Sequence, residues 1–439
     1  MTDSRRSYWK TVALFAVAAA AGVALLAGAA LAPGRSPGAW GALPWLGWAA
    51  AVLLLAAGTV AASLVVGGGL ISLRRDALEA RGVPYAPRRP REGRPGLVGS
   101  AVRRMVRAAR ERLTGRTLPL ALRAGEEVEV RSLAEICATL DERATLDGLP
   151  FMPEMAAFCG RRFRVFRRVD KINDWVGHTG LRRPRDTVML EQLCCDGAGH
   201  GGCQARCQLR WKEAWLKRAG SAAEPPGDGR AASGAAPAGE GTRGRAPTLA
   251  DLERLTRRED GSGEIRYVCQ VTELAAGSTP LRRNDPLHFL RDFVRGNLRL
   301  GPLMAGVCLA MFNGFQRRRG GVGFPSYALT PQAKSPHETL DLRPGDAVRV
   351  KTKRQIEPTL NAQSRNRGLW FDGEMLRFCG GTYRVGVRVE RLIEERTGKM
   401  LQLGSPCIIL DGVAASGEYQ GFCAQNESIF WREIWLERA

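Results

Sequence analysis

One stretch of this chain, residues 122–219, occurs a second time as residues 342–439, displaced by 220 positions without a net gap. The matching positions are rich in tryptophan, cysteine, phenylalanine and glycine, which rarely coincide by chance. They include Gly125, Val128, Phe151, Glu154, Phe158, Cys159, Gly160, Trp211 and Trp215 in the first copy, and Gly345, Val348, Phe371, Glu374, Phe378, Cys379, Gly380, Trp431 and Trp435 in the second. Each copy has an ordinary domain size, so the sequence predicts a duplicated module as the unit of the fold.

The module itself is predicted to be rich in strands. Gly125 followed by Val128 and Val130 predicts a turn that enters a strand, and residues 163–169 and 187–190 predict two more. Short strands separated by Gly and Asp turns favour a small antiparallel barrel. The openings LRAGEEVEV and LRPGDAVRV resemble the first strand of SH3-like barrels. The predicted fold class is mainly β with α: a two-helix transmembrane hairpin, then two SH3-like small β-barrel repeats joined by a mixed, partly helical segment.

The tail of the module, residues 208–219, leaves a helix and a closing strand open as alternatives. Trp211 and Trp215 are spaced by four positions, which favours one helical face. We interpret both tryptophans as core residues, because a small barrel needs large apolar side chains to fill it.

Composition divides the rest of the chain. The predicted layout is a transmembrane hairpin (1–76), a basic juxtamembrane segment (77–120), β-barrel repeat 1 with a Cys/His loop (121–219), a disordered linker rich in Gly, Ala, Pro and Ser (220–247), a middle α/β segment (248–340) and β-barrel repeat 2 (341–439).

Four elements are predicted in the middle segment. They are a short helix at 249–255, a strand at 265–273, a helix at 286–294 capped by Asp285, and an apolar helix at 303–315. The apolar helix is short for a membrane span, so we expect it to be buried or interfacial.

Two uncharged apolar runs predict the membrane hairpin. Residues 11–33 and 45–70 are each long enough to cross a bilayer. A cleaved signal peptide is the alternative for the first run, but a second run follows after a short Pro/Gly turn, which favours the hairpin. Lys and Arg flank both outer ends, whereas Arg35 alone lies in the turn, so both ends are expected in the cytoplasm and the protein at the inner (cytoplasmic) membrane.

The positive charge is concentrated near these runs. The chain has a formal net charge of +21, and residues 1–116 hold 17 Lys and Arg against 5 Asp and Glu. Residues 97–113 form a basic amphipathic helix candidate, which we expect on the inner leaflet against anionic lipid; a solvated connector helix is the alternative. This distribution favours a membrane surface over nucleic acid as the partner of the charge.

The 11 cysteines point to a reducing compartment. Their number is odd and many lie in apolar runs, which is typical of buried thiols rather than of a disulfide framework.

The densest polar cluster is the loop CDGAGHGGCQARC. Its soft ligands are Cys195, His200, Cys203 and Cys207, on a glycine-rich backbone that can wrap round an ion, so the loop is a candidate structural zinc site. The spacing matches no standard zinc class. A tight loop of reduced thiols and, more remotely, redox chemistry remain open.

The second copy bears on this metal prediction. Cys203 recurs as Cys423, but the other three positions become Ala415, Gln420 and Glu427. The fold is therefore possible without the metal, or the second copy has lost the site.

Two further pairs recur between the copies. Cys159 and Cys379 have no recurring histidine nearby, so we interpret them as structural thiols before a turn glycine. Glu154 and Glu374 are expected to cap a helix or to pair with the Arg at 164 and 384. No catalytic residue is predicted.

The segments GLPFMPEMAAFCGRRFRV, CDGAGHGGCQARC, WKEAWLKRA and YVCQVTE resemble a bacterial protein family with the same two-copy layout and no assigned activity. The resemblance covers residues 122–439. It implies that Cys159, Cys195, His200, Cys203, Cys207 and Cys269 belong to family motifs; the membrane hairpin is outside the resemblance.

The sequence favours a non-enzymatic function. Duplication without a duplicated catalytic set predicts a membrane-anchored cytoplasmic binding or scaffold protein, with a protein partner that the sequence does not name. The alternative is an enzyme or accessory factor that acts on an envelope polysaccharide or lipid-linked substrate through the Cys/His cluster. Nucleic-acid binding ranks last, because aromatic residues are not interleaved with Lys and Arg beyond residue 122.

Overall fold

A computed structural model of the chain describes residues 43–84, 120–174, 177, 179–219, 246–259, 261–282, 287–325, 327, 335–420, 422–424 and 426–439, with the backbone alone at 43–57, 80, 287 and 290. The predicted first span, most of the basic segment and most of the linker lie outside these residues. The described chain is mixed α/β, with several antiparallel sheets that include a curled half-barrel.

The first described element is a long helix, α1 (Leu43–Ala80). It contains the predicted second run, 45–70, and continues past it through Arg74 and Arg75. Among the described residues, we find no helix with the length and apolarity that a membrane crossing requires.

The C-terminal end of α1 is attached to repeat 2. The Arg75 guanidinium donates to the Tyr419 hydroxyl at 2.6 Å and pairs with Glu418. Near the end of the helix, the buried Glu79 carboxylate lies 3.3 Å from the Lys353 ammonium. The region predicted as juxtamembrane therefore begins as a helix docked on protein.

Repeat 1 alternates short strands with tight turns. Its elements are β1 (Glu127–Val130), α2 (Leu133–Cys137), β2 (Thr145–Leu146), β3 (Leu149–Pro150), a 3-10 turn (Pro153–Phe158), β4 (Arg162–Arg168), β5 (Ile172–Asp174), β6 (Gly180–Pro184), β7 (Thr187–Cys194), β8 (Gln208–Lys212), a 3-10 turn (Glu213–Trp215) and β9 (Leu216–Arg218). The main sheet is antiparallel with the order β8-β7-β4-β1-β9. The last strand of repeat 1, β9, therefore pairs with its first strand, β1.

The core of repeat 1 combines side chains of this sheet with side chains of the 3-10 turns and of α2. Val128 and Val130 are buried while Glu127, the first residue of β1, is exposed, as the period-2 pattern predicts. Trp211 and Trp215 are fully buried, which confirms them as core residues. The helix favoured for the tail is wrong: a 3-10 turn between β8 and β9 gives the same spacing of four.

The middle segment packs against both repeats. Its elements are α3 (Leu249–Leu255), β10 (Arg257–Glu259), β11 (Ile265–Tyr267), β12 (Ser278–Pro280), α4 (Leu287–Val294) and α5 (Leu300–Arg318). The short helix at 249–255 is confirmed, and α5 contains the predicted apolar helix. Asp285 and Pro286, the predicted helix start, lie outside the described residues. β12 adds to the edge of β6 in repeat 1.

The predicted strand 265–273 ends early, at Tyr267, because Gln270 turns into repeat 1. Its side-chain amide accepts from the Arg210 backbone nitrogen at 2.8 Å and donates to the Pro150 carbonyl at 3.0 Å. These groups are buried, so the hydrogen bonds satisfy polar atoms that would otherwise be costly to bury. Tertiary contacts therefore override the strand pattern.

Helices α1 and α5 pack directly on each other. Gly68 lies against Cys308 so closely that a side-chain carbon at position 68 would be 2.2 Å from the Cys308 carbonyl oxygen. Leu309 and Phe312 of α5 are buried, while Met304 and Met311 are exposed.

Repeat 2 has the same strand order, β18-β17-β16-β13-β19. Its elements are β13 (Ala347–Val350), α6 (Lys353–Ile356), β14 (Arg365–Asn366), β15 (Leu369–Trp370), β16 (Thr382–Ile393), β17 (Met400–Ala414), β18 (Ser428–Trp431) and β19 (Leu436–Arg438), with 3-10 turns at Glu357–Thr359, Leu376–Phe378, Glu418–Gln420 and Glu433–Trp435. The duplication read from the sequence is thus a duplication of topology.

One difference between the repeats brings them together. β16 and β17 form a long hairpin that reaches repeat 1. There the Ile393 backbone nitrogen donates to the Cys203 sulfur at 3.4 Å, and the Gln204 side chain accepts from the Glu390 nitrogen at 2.7 Å. The hairpin therefore covers the Cys/His loop of repeat 1.

Candidate metal centre

The Cys/His loop connects β7 to β8 and is closed by its own backbone. The Cys195 nitrogen donates to the Cys207 carbonyl at 2.8 Å, and the His200 and Gly202 nitrogens both donate to the Gly197 carbonyl. Gly197 has φ +75°, and a side-chain carbon there would be 2.0 Å from the Cys203 carbonyl oxygen. Only glycine fits this position.

The loop places Cys195 and His200 against a carboxylate from elsewhere in repeat 1. The Cys195 thiol donates to Oε1 of Glu154 at 3.2 Å and lies 3.4 Å from Nε2 of His200. Nδ1 of His200 is 3.6 Å from the same Glu154 oxygen. The three donor groups are mutually close, and this buried group could hold a metal ion.

Only two of the four predicted metal ligands lie together in the structure. Cys195 and His200 belong to the group with Glu154. Cys203 and Cys207 line the same cavity, but they are outside the cluster of mutually close donor atoms found among the described residues.

Sequence reasoning did not identify Glu154 as a site residue. It lies on the 3-10 turn Pro153–Phe158, far from the loop in sequence. The expected pairing with Arg164 is wrong, because Arg164 pairs with Glu127 on the sheet surface. One sequence feature could have identified Glu154. It recurs as Glu374 in repeat 2, although the Cys/His loop does not recur with the same ligands.

Burial controls the protonation of the group. It raises the pKa of the Cys195 thiol, and the neighbouring Glu154 carboxylate raises it further. Burial also lowers the pKa of His200, against the opposing effect of Glu154. Both shifts favour the neutral forms, a thiol at Cys195 and an uncharged imidazole at His200.

The equivalent loop of repeat 2 has the same backbone without these ligands. The Gln420 and Phe422 nitrogens donate to the Gly417 carbonyl, and the Ala415 nitrogen donates to the Glu427 carbonyl. Gly417 has φ +75°, as Gly197 does. The loop fold therefore needs neither Cys195, Cys207 nor His200.

The two equivalent glutamates differ sharply in their hydrogen bonds. Glu374 accepts from the backbone and hydroxyl of Ser416 at 2.9 and 2.8 Å, from the Tyr419 nitrogen at 3.0 Å, and pairs with Arg377. In repeat 1, Oε2 of Glu154 is buried and makes no hydrogen bond, and neither does Nδ1 of His200. Native proteins rarely leave such atoms unsatisfied, so these two need an explanation.

A cavity of about 500 Å³ opens beside the group, between the two repeats. Its walls come from three parts of the chain: Glu154, Cys195, His200, Cys203, Cys207 and Arg210 of repeat 1, Cys269 and Gln270 of the middle segment, and Ile393, Glu395, Glu427 and Phe430 of repeat 2. A second cavity, of about 740 Å³, lies between the β4–β7 face of repeat 1 and β17.

Two half-buried carboxylates, those of Glu395 and Glu427, give the first cavity an unusual electrostatic character. Burial, reinforced by Glu395, raises the pKa of Glu427 to about 7, although Arg210 opposes the shift. Burial also raises the pKa of Cys207, with Cys269 the next cause. Perturbed groups gathered in one cavity are typical of functional sites.

The remaining cysteines match their predicted roles in part. All 11 are thiols rather than disulfides, and Cys379 is buried before Gly380 at φ +80°. Cys159 is half-buried at the equivalent place.

No family model, curated protein or solved structure matches this chain. The resemblance to a two-copy bacterial family remains a prediction.

Proposed function

We propose that this chain is a membrane-anchored cytoplasmic binding or scaffold protein whose ligand occupies the cavity between the repeats. The observation that carries the proposal is the composition of the cavity wall, to which repeat 1, the middle segment and repeat 2 all contribute. Concave, largely apolar sites at domain junctions are where proteins most often bind ligands.

The modules are proposed to be SH3-like. The support is the strand order, in which the last strand pairs with the first, and the 3-10 turn that precedes that strand in each copy. Binding surfaces tolerate duplication and divergence, which fits two copies with one topology and different loops.

Membrane attachment is proposed from the sequence. The uncharged runs 11–33 and 45–70 and the excess of Lys and Arg around them support a hairpin with cytoplasmic ends and contact with anionic lipid. The same pattern places the modules in a reducing compartment, in keeping with the thiol state of every cysteine.

We assign zinc to the group in repeat 1. Thiolate, imidazole and carboxylate are all established zinc ligands, and a thiolate disfavours magnesium and calcium, which prefer oxygen. The ion would bind two buried side chains, Glu154 and His200, that each keep a polar atom without a hydrogen bond.

A photo-crosslinking experiment tests the binding function. A photoreactive residue is introduced at Leu401, which lines the cavity and is 41% exposed, and at the exposed Glu127 as a matched control. We expect a discrete adduct in the membrane fraction from position 401 only, abolished by Ser428→Trp, which fills the cavity. Recovery of the protein in the soluble fraction, or adducts indistinguishable between the two positions, would contradict the proposal.

A second function is favoured by the metal group beside the cavity: an enzyme or accessory factor acting on an envelope polysaccharide or lipid-linked substrate. Substitution of His200 and, separately, of Cys203 distinguishes the two functions. Loss of turnover with an intact fold would favour chemistry, whereas retained partner adducts without any turnover favour the scaffold.

A further inference from the structure

The metal group of repeat 1 has an internal comparison that indicates what the ion does. Structural zinc sites are closed by four protein ligands and contribute directly to folding, whereas sites that bind a ligand keep one position open. Three observations on the described residues favour the second case, a site with an open position.

The loop does not depend on a metal for its conformation. Repeat 2 forms the same turn round Gly417, with Ala415 and Gln420 where repeat 1 has Cys195 and His200. Because this loop forms without those two ligands, the comparison favours a role other than folding for Cys195 and His200 in repeat 1.

The ligand set has three members. One donor atom from each of Glu154, Cys195 and His200 lies within 4.8 Å of the other two. The Cys195 sulfur is 3.2 Å from Oε1 of Glu154 and 3.4 Å from Nε2 of His200, which is close to the edge of a tetrahedron round zinc, roughly 3.3–3.6 Å for ligand bonds of about 2.0–2.3 Å. Of the other two loop thiols, Cys203 accepts a hydrogen bond from the Ile393 nitrogen, and neither Cys203 nor Cys207 belongs to the cluster of mutually close donor atoms among the described residues.

The group combines unsatisfied buried polar atoms with access to a cavity. The side chains of Glu154 and His200 are 4% and 3% exposed, and each has a buried polar atom without a hydrogen bond. All three residues also line the cavity between the repeats. A cation bound here therefore has protein on one side and the cavity on the other.

We propose that Glu154, Cys195 and His200 hold a zinc ion with one coordination position open to the cavity, so that the metal receives an anionic donor from the cavity ligand. This inference rests on the zinc assigned under the proposed function. It makes the zinc ion part of the binding site rather than a structural ion. The donor is a group that zinc accepts as a fourth ligand: a carboxylate or a thiolate.

The experiment uses the full chain, purified in detergent under reducing conditions. The double variant Cys195→Ala/His200→Gln copies the residues of repeat 2, and Cys203→Ala and Cys207→Ala are the matched controls from the same loop. Zinc is measured by elemental analysis, and folding by near-ultraviolet circular dichroism. The cobalt(II) form is titrated with azide as the probe of an open position.

We expect about one zinc per chain in the wild type and in both control variants, and none in the double variant. We expect an azide-dependent shift of the cobalt absorption bands and an unchanged fold after chelation. Loss of zinc from Cys203→Ala or Cys207→Ala, loss of the fold on chelation, or no response to azide would overturn the open site. If the double variant does not fold, Glu154→Gln and the chelated wild type decide the question.

These outcomes are distinguishable from failure of the binding function. Absence of zinc with specific adducts at Leu401 removes the metal and keeps the scaffold, whereas zinc without adducts does the reverse.

Discussion

Arg168 and Glu213 form a buried ion pair that joins β4 to the 3-10 turn before the last strand of repeat 1. The same carboxylate accepts from the Leu122 nitrogen at 2.7 Å, so it also fixes the entry of the chain into the module. Repeat 2 reproduces this arrangement with Arg388 and Glu433, 2.5 Å apart. The pair is thus a feature of the module that the sequence comparison alone does not reveal.

Replacing Glu213 by Gln should destabilise repeat 1 strongly. The buried Arg168 guanidinium would lose its nearest charge partner, and breaking a buried pair costs about 3 kcal/mol of the free energy of unfolding. Chemical denaturation measures the effect. The control is Glu127→Gln, which removes an exposed pair with Arg164 and should cost under about 0.5 kcal/mol. Equal effects in the two variants would refute the structural role of the buried pair.

The crossing of α1 and α5 should be sensitive to one methyl group. Gly68→Ala places a carbon 2.2 Å from the Cys308 carbonyl oxygen, which forces the helices apart at a cost of about 1–3 kcal/mol. Gly58→Ala is the control on the same helix, because nothing lies within 4 Å of it; there we expect a gain of about 0.5–1 kcal/mol from helix propensity. Hydrogen exchange in α5 reports the change. Unaltered exchange in Gly68→Ala would mean that the helices are not packed this way.

The cavity carboxylate Glu427 should make stability depend on pH. Its pKa in the folded state is about 7, against an ordinary value of 4.5, so the folded protein binds more protons than the unfolded chain between these values. The contribution of Glu427 to the free energy of unfolding therefore falls as pH rises from 4.5 to about 7 and remains low above that range.

Glu427→Gln removes this dependence. Relative to the wild type, the variant should gain stability as pH rises through the window and show little difference at pH 4.5, as measured by denaturation at a series of pH values. The exposed Glu191→Gln serves as the comparison and should give a flat difference. A flat difference for Glu427→Gln as well would show that the carboxyl is not held in a buried cavity.

Periodicity and duplication predicted much of the fold. The 249–255 helix, the strands that enter each module and the buried tryptophans are all found in the structure, because local patterns and core burial dictate them. The closing tail was misjudged since a 3-10 turn between two strands spaces Trp211 and Trp215 as a helix would. Residues 265–273 failed as a strand because Gln270 satisfies buried groups of repeat 1.

The candidate site was less accessible to sequence reasoning. Cys195 and His200 were identified from soft ligands on a glycine-rich loop. Glu154 was not, because proximity across 41 positions depends on how the 3-10 turn packs under that loop. The surroundings of Cys203 likewise depend on another part of the chain, because its sulfur accepts a hydrogen bond from Ile393 in the hairpin of repeat 2. The sequence of the loop alone does not predict this contact.

Zinc X-ray absorption spectroscopy on the purified full chain counts the sulfur ligands of the proposed open zinc site. With Cys195 as the single sulfur ligand, we expect about one sulfur near 2.3 Å, with the remaining neighbours being nitrogen or oxygen at about 2.0–2.1 Å. A first shell with two or more sulfurs would show that Cys203 or Cys207 completes a closed site with Cys195, and the open site would then be wrong.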